Sequence, residues 1–195
     1  MKQIQFQLQL THDLSQFDTL ILPVFESGET TDLGQQLNLN TPIAEWVNSG
    51  DFSAETGQVQ LLLQPPTISF KRLLLVGMGS AEKLTEKGYL ESLNAAAKAL
   101  DNSGAQQVLN NLTDVFPSKN NQAWSIYQNT LILQRSLYDY EHESRNKTVL
   151  KDPKLDTVSF TATDKDAYVQ MIQQAQASAL GMALTQDLAN MPSNF

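Results

Sequence analysis

Cysteine is absent from the 195-residue sequence. Without it the chain has no disulfide framework, no thiolate metal site and no cysteine nucleophile. Glycine and proline are also scarce, at 9 and 7 residues, which excludes a collagen-like or low-complexity chain. The composition indicates a globular protein, and the lack of cysteine fits a cytoplasmic location.

Long apolar runs are missing as well. The longest, Leu73 to Val76, is four residues, whereas a membrane-spanning helix needs about 20. Residues 1–8 alternate polar and apolar side chains, a pattern that does not predict a signal peptide. With 41% hydrophobic and 17% charged residues, disorder is also excluded. We therefore expect a soluble chain of one domain with an appendage, or at most two small domains.

Positive charge is scarce in the first third of the chain. Residues 1–70 hold one base, Lys2, against eight acids, which places −7 of the total charge of −8 there. Nucleic-acid binding draws much of its affinity from cations that neutralise phosphates. Among the functions considered for this chain, that of a DNA-binding regulator is therefore the least favoured.

Apolar periodicity predicts strands that alternate with helices. Ile4, Phe6, Leu8 and Leu10 recur at period two, whereas 19–25 and 72–77 are nearly continuous apolar runs typical of strands covered on both faces. The predicted strands are 4–10, 19–25, 59–63, 72–77, 107–112 and 155–161. This order indicates an α/β fold, a three-layer αβα arrangement with a mixed, largely parallel sheet.

Four helices are predicted from capping residues and helical spacing. The first begins at Thr41-Pro42 and ends near Asn48, and the second begins at Thr85-Glu86 and ends before Gly104. Ser118 is the predicted cap of the third. A long fourth helix is predicted from Thr163-Asp164 to about Asn190, after a polar connection over 141–154.

A glycine turn, Gly77-Met78-Gly79-Ser80, follows the strongest predicted strand and precedes a helix. Backbone amides in that context can bind phosphate. The dinucleotide fingerprint requires a third glycine where this chain has Glu82. We interpret the turn mainly as a tight connection, with a bound phosphate or nucleotide as the alternative.

Residues suited to catalysis or metal binding are sparse. His12 adjoins Asp13, and His142 lies between Glu141 and Glu143, but no His-Glu-x-x-His motif is present. The acidic run of Asp139, Glu141 and Glu143 is interpreted as a solvated edge, with acid/base catalysis as the minor alternative.

The remaining sequence patterns are interpreted without a catalytic role. No Gly-x-Ser-x-Gly motif provides a serine nucleophile. Two Asn-x-Thr sequons, at Asn111 and Asn146, are attributed to chance. The aromatic residues at helical spacing favour core packing over base stacking, and they are Trp46, Trp124, Tyr127 and Tyr138.

The closing stretch, residues 179–194, carries the most specific pattern in the chain. Its Asp187-Leu188, Asn190, Pro192 and Asn194 form an Asp-Leu-x-Asn-x-Pro-x-Asn motif. This passage resembles the junction between the two halves of leucyl aminopeptidases, the cytosol aminopeptidase family of metallopeptidases. The segments 22–25, 43–52 and 72–79 and the helix with Trp124 resemble the same family in the expected order.

The resemblance implies a fold and an activity. The chain is expected to be the amino-terminal, macro-domain-like half of a hydrolase that removes N-terminal amino acids from peptides, with residues 1–162 as the domain and 163–195 as the connection. Two divalent ions, Mn or Zn, and the catalytic residues are expected in the carboxyl-terminal domain. We therefore assign no catalytic, cofactor-binding or metal residue here. Homohexamers and a cytoplasmic location are also implied.

Three functional hypotheses follow. The first is an amino-terminal domain without activity of its own, with a role in assembly or regulation; its terminal helix is expected to pack against the catalytic domain through a set that includes Ala175, Ala179 and Ala183. The second is a macro-like module that binds a nucleotide or ADP-ribose at the glycine turn. The third is the DNA-binding regulator. Membrane partners are not expected.

Overall fold

The computed structural model describes residues 3–9, 13–65, 68–138, 154–162 and 165–190. In them a six-stranded sheet has the order β1-β6-β5-β2-β4-β3. All neighbouring strands are parallel except β3, which runs antiparallel to β4. The strands are β1 Gln5–Gln9, β2 Thr19–Val24, β3 Val59–Leu63, β4 Arg72–Gly77, β5 Gln107–Asn110 and β6 Thr157–Thr161.

Five α-helices cover the two faces of this sheet, which confirms the predicted α/β class. No helix within the described ranges combines the length and apolarity needed to cross a membrane. The helices are α1 Asp32–Gln36, α2 Asn40–Ser49, α3 Glu86–Asp101, α4 Gln122–Ser136 and α5 Lys165–Asn190, with 3₁₀ helices at Ala81–Lys83 and Leu112–Asp114.

The core lies in two layers that alternate along the central strands. Ile21 of β2 and Leu74 of β4 face a cluster with α3, α4 and α5, whereas Leu20 and Leu73 face α2. Every residue of β2 is buried, as its continuous apolar run predicts for a strand between two helical layers. Residues Ile4, Phe6 and Leu8 share the first cluster, which confirms the period-two prediction for β1.

Two predicted helix starts are wrong. Helix α2 begins at Asn40, so Thr41 and Pro42 occupy its first turn instead of capping it; proline is tolerated there because those amides have no intrahelical acceptor. A turn in which the Asn120 amide donates to the Pro117 carbonyl delays α4, and Asn121 caps it instead of Ser118.

Helix α3 ends at Asp101, before Gly104, as predicted. Glycine at position 104 leaves room for the Arg72 side chain, because a Cβ there would lie 2.7 Å from an Arg72 guanidinium nitrogen. Arg72 pairs with Asp18 at 3.3 Å. The predicted cap at Thr85 is confirmed, since its Oγ1 accepts from the Gly88 amide at 3.1 Å.

The alanines of α5 pack within this domain. Ala175 and Ala179 are fully buried against Leu131 and Tyr127 of α4, and Ala183 is also buried. The prediction that these alanines pack against the catalytic domain is therefore wrong. Small side chains on one stripe let α5 lie close to α4, and no room for a larger group remains there.

We predict that Ala179→Leu lowers the free energy of unfolding by about 1–3 kcal/mol, the usual cost of forcing extra methylenes into a packed interface. The matched control is Ala177→Leu, on the exposed side of the same helix, which should change it by less than about 0.5 kcal/mol. Urea unfolding followed by circular dichroism measures both. Equal effects at the two positions would contradict the assigned packing of α5.

Candidate functional site

A cavity of about 830 Å³ opens at the carboxyl-terminal edge of the sheet. The chain leaves β2 toward α1 and α2 on one face, and leaves β5 toward α4 on the other. Ligands of open α/β sheets bind where neighbouring connections diverge in this way. Its walls come from the segments after β2, β5 and β6, including Phe25, Asp32, Asp114, Phe116 and Thr161.

A buried network positions the 3₁₀ helix that carries Asp114. The Tyr89 hydroxyl donates to the Leu112 carbonyl at 3.0 Å and lies 2.5 Å from Ser125 Oγ. Asn129 donates to the same Tyr89 oxygen at 2.7 Å and accepts from Asn110 at 2.8 Å. These bonds connect α3, α4 and the end of β5, and they hold in place the 3₁₀ helix that forms part of the cavity wall.

Asn111 and Asp114 connect the cavity walls to one another. The buried Asn111 side chain accepts from Thr31 and donates to Asp114 Oδ2 at 2.6 Å and to Thr161 Oγ1 at 3.0 Å. Asp114 Oδ1 accepts from Thr161 at 2.8 Å and from Gln122 at 2.9 Å. Three chain segments therefore meet at the Asp114 carboxylate, and Asn111 connects them to Thr31.

The Asp114 side chain is exposed at the cavity, and its carboxyl is partly shielded from water by the groups that it contacts. Burial raises its pKa above the ordinary 3.8, the hydrogen bonds from Thr161, Asn111 and Gln122 oppose that shift, and the nearby Asp32 charge adds to it. Among the described residues that line the cavity, none is Lys, Arg or His. The site is therefore suited to neutral or positively charged groups.

Sequence reasoning missed this cavity. The available signal was the polar run Asn110-Asn111-Leu112-Thr113-Asp114 directly after an apolar strand, because the carboxyl ends of parallel strands meet at one edge. The Asn111 sequon belongs to this network and is buried, so its side chain is closed to modification. Asn146 lies outside the described residues.

The glycine turn has its amides occupied. Gly77, Met78 and Gly79 donate to the carbonyls of Gln58, Val24 and Ala54 at 2.7, 2.9 and 2.9 Å. These three amides are closed to a phosphate, and the structure supports the tight-connection interpretation. A Cβ at Gly77 would lie 2.1 Å from the Glu55 carbonyl oxygen, and Gly79 has a φ of +73°. Both positions require glycine for backbone reasons.

The other residues singled out in the sequence do not converge on a site. His12, Asp139, Glu141, His142 and Glu143 lie outside the described residues. Asp13 is exposed, and hydrogen bonds from Ser15 hold its pKa below the ordinary value. Across the part of the chain that the structure describes, no three His, Asp or Glu side chains are grouped to hold a metal.

The four singled-out aromatic residues pack as core residues, as predicted. Trp46 lies against the α2-side cluster. Trp124 meets Tyr89 with ring centroids 5.3 Å apart. Tyr127 and Tyr138 donate hydrogen bonds to Ser178 and Asp187 of α5, at 3.1 and 2.7 Å. None of the four presents a stacking platform for bases.

An apolar stripe remains on the outer side of α5. Leu180, Leu184 and Leu188 recur every four residues and are 44%, 61% and 60% exposed. Met182 is also 40% exposed. Aligned exposed leucines of this kind mark an interaction surface. We refer to Leu180, Leu184 and Leu188 as the leucine stripe.

The fold and its edge cavity define a three-layer α/β domain of the macrodomain type. A macrodomain of Mycobacterium tuberculosis DarG superposes with a TM-score of 0.58 at 10% identity, covering 83% of this chain and all of that one. A tomato leucine aminopeptidase superposes with a TM-score of 0.71 at 20% identity, covering 98% of this chain and 39% of that chain. At these identities the likeness concerns the fold alone.

The family follows from the sequence comparisons. Residues 21–147 match the family described as "Cytosol aminopeptidase family, N-terminal domain". A probable cytosol aminopeptidase of Hydrogenovibrio crunogenus is 62% identical over all 195 residues, which span 40% of that relative. The chain belongs to the cytosol aminopeptidase family and corresponds to its amino-terminal domain. The suggested resemblance is confirmed.

We predict that Gly77→Ala lowers the free energy of unfolding by about 3 kcal/mol, the upper end of overpacking costs, because the new Cβ meets backbone that cannot give way. Gly181→Ala is the matched control, since a Cβ there has nothing within 4 Å. It should stabilise α5 by about 0.5–1 kcal/mol through lower chain entropy. Thermal and urea unfolding measure both variants. A neutral Gly77→Ala would contradict the close approach of the 54–57 loop.

We predict that the stability of the wild type relative to Asp114→Asn falls as pH rises above 3.8. A raised pKa means that the folded state binds more protons than the unfolded state in the window above 3.8, so unfolding becomes easier through that window and levels off beyond the folded pKa. Urea unfolding of both proteins from about pH 4 to pH 7 isolates Asp114, because the other carboxyls are common to both. A constant or rising difference would contradict the raised pKa.

Proposed function

We propose that this chain is the amino-terminal, non-catalytic part of a metal-dependent aminopeptidase that removes N-terminal amino acids from peptides. The observation that carries the proposal is the full-length match to a probable cytosol aminopeptidase of which the chain spans 40%. The domain is taken as 1–162 and the connection as 163–195, with α5 of the connection packed on α4 of the domain. Cytoplasmic location and assembly into a homohexamer belong to the same proposal.

We assign the catalytic chemistry of the whole protein to residues outside the 195 of this chain. Two divalent ions, Mn or Zn, would supply Lewis acidity and a bound nucleophile for peptide hydrolysis. The described residues do not fit such a pair, since none of them form a group of three potential ligands. We therefore derive no catalytic step within this chain, and its role is assembly or regulation.

The partner of the leucine stripe is proposed to be the chain's own catalytic domain. The buried alanines hold the first part of α5 on α4, while the stripe continues to Leu188, close to the point where the connection would lead onward. Burying three leucines contributes roughly 1.5–3 kcal/mol each at most. That is enough to orient one domain on the other.

The proposal predicts that the 195-residue chain has no hydrolytic activity on a leucine anilide with added Mn²⁺ or Zn²⁺. A chimera in which this chain is followed by the remaining part of the H. crunogenus relative should be active, because the two are 62% identical in this region. Chromogenic product release measures both. Metal-dependent turnover by the chain alone, or an inactive though folded chimera, would contradict the proposal.

The stripe is tested in the same chimera. Changing Leu180, Leu184 and Leu188 together to Gln should lower its melting temperature and activity, while the melting temperature of the isolated chain changes little because the side chains are exposed. Leu63→Gln is the matched control, since Leu63 is 69% exposed at an edge strand outside α5. An effect of the triple change no larger than that of Leu63→Gln would remove the stripe from the interface.

A further inference from the structure

The edge cavity has the volume of a small-molecule site. At about 830 Å³ it falls within the range of about 300–1,000 Å³ typical of ligand pockets. No residue of the leucine stripe lines this cavity, so the two surfaces are separate. Neither the aminopeptidase activity proposed above nor the packing of the domain gives this cavity a role.

The charge on its walls has one sign. Asp32 and Asp114 are the charged residues among the described lining. Among the described residues, Asp114 Oδ2 accepts one hydrogen bond, from Asn111, and a carboxylate oxygen has about two acceptor positions. A ligand cation would supply the missing positive charge.

Part of the remaining wall is apolar. Phe25, Leu33, Val115, Phe116 and Tyr168 contribute to the lining, and Phe116 is 37% exposed. Leaving such a phenyl ring in water is unfavourable, and a hydrophobic group in the cavity would cover it. The site therefore combines an apolar surface with two carboxylates.

We propose that this cavity binds a primary amine attached to an apolar group, with the ammonium between Asp32 and Asp114 and the apolar group against Phe116. A carboxylate next to the amine would be repelled by the same two side chains. The chemical class is thus an amine without a neighbouring free carboxylate, as in an amino-acid amide or a peptide amino terminus. Anionic ligands such as nucleotides are disfavoured on the same ground.

The test is a set of four ligands titrated against the full 195-residue chain. Phenylalanine amide should bind with a Kd of about 1 mM or tighter, as expected for a ligand of its size. N-acetylphenylalanine amide lacks the charge, free phenylalanine adds a carboxylate, and AMP is an anion. Each should bind at least about tenfold more weakly. Calorimetry gives the affinities, and shifts of the Asn111 and Gln122 side-chain amide signals in NMR spectra locate the site.

Variants separate the carboxylates from the net charge. Asp114→Asn and Asp32→Asn should each weaken phenylalanine amide binding by about tenfold. Asp51→Asn removes the same charge outside the cavity lining and should leave the affinity unchanged. Asp32 is exposed, so its variant reports on binding even if Asp114→Asn fails to fold.

Three results would overturn the proposal. The first is equal affinity for phenylalanine amide and its N-acetyl form, which would show that the ammonium is not recognised. The second is tighter binding of AMP, which would assign the cavity to anions. The third is that phenylalanine amide does not bind, or that it binds the Asp32→Asn variant with unchanged affinity. The readout is binding by the isolated chain, so failure here is independent of whether the chimera hydrolyses peptides.

Discussion

The burial of β2 on both faces is the constraint on which the rest of the structure depends. All six of its residues are buried, and its two neighbours, β4 and β5, both run parallel to it. Parallel strands need crossovers, and crossovers on both sides put helices on both faces. The three-layer arrangement thus follows from one apolar strand that must be covered twice.

The same constraint creates the edge cavity and its polar network. Because the chain leaves β2 and β5 toward opposite faces, no backbone bridges the space beyond their carboxyl ends. Side chains connect the walls instead, through Asn111 and Asp114. The network reaches the surface at Asp114, which is exposed. Its carboxylate therefore remains in contact with solvent while it accepts the hydrogen bonds that join the walls.

The sequence predicts the class of fold and most strands, because the continuous and alternating apolar patterns directly reflect burial on two faces or one. It does not predict where helices begin at 40 and 122, since the choice between Ser118 and Asn121 as cap depends on a turn at Pro117. Nor does it predict the edge cavity. Asn111 and Asp114 are near neighbours in the chain, but Thr161 comes from a distant part of it, and only the parallel register of β5 and β6 brings it to them.

Helix α5 shows how one segment serves two surfaces. Its alanines recur every four residues toward α4, and its leucines recur every four residues on the outside. A helix that is apolar on more than one side is expected only when more than one side is covered. Close packing through alanine fixes the position of the helix, so the leucine stripe is presented on a rigid support. The inner face therefore determines the geometry with which the outer face can meet a partner.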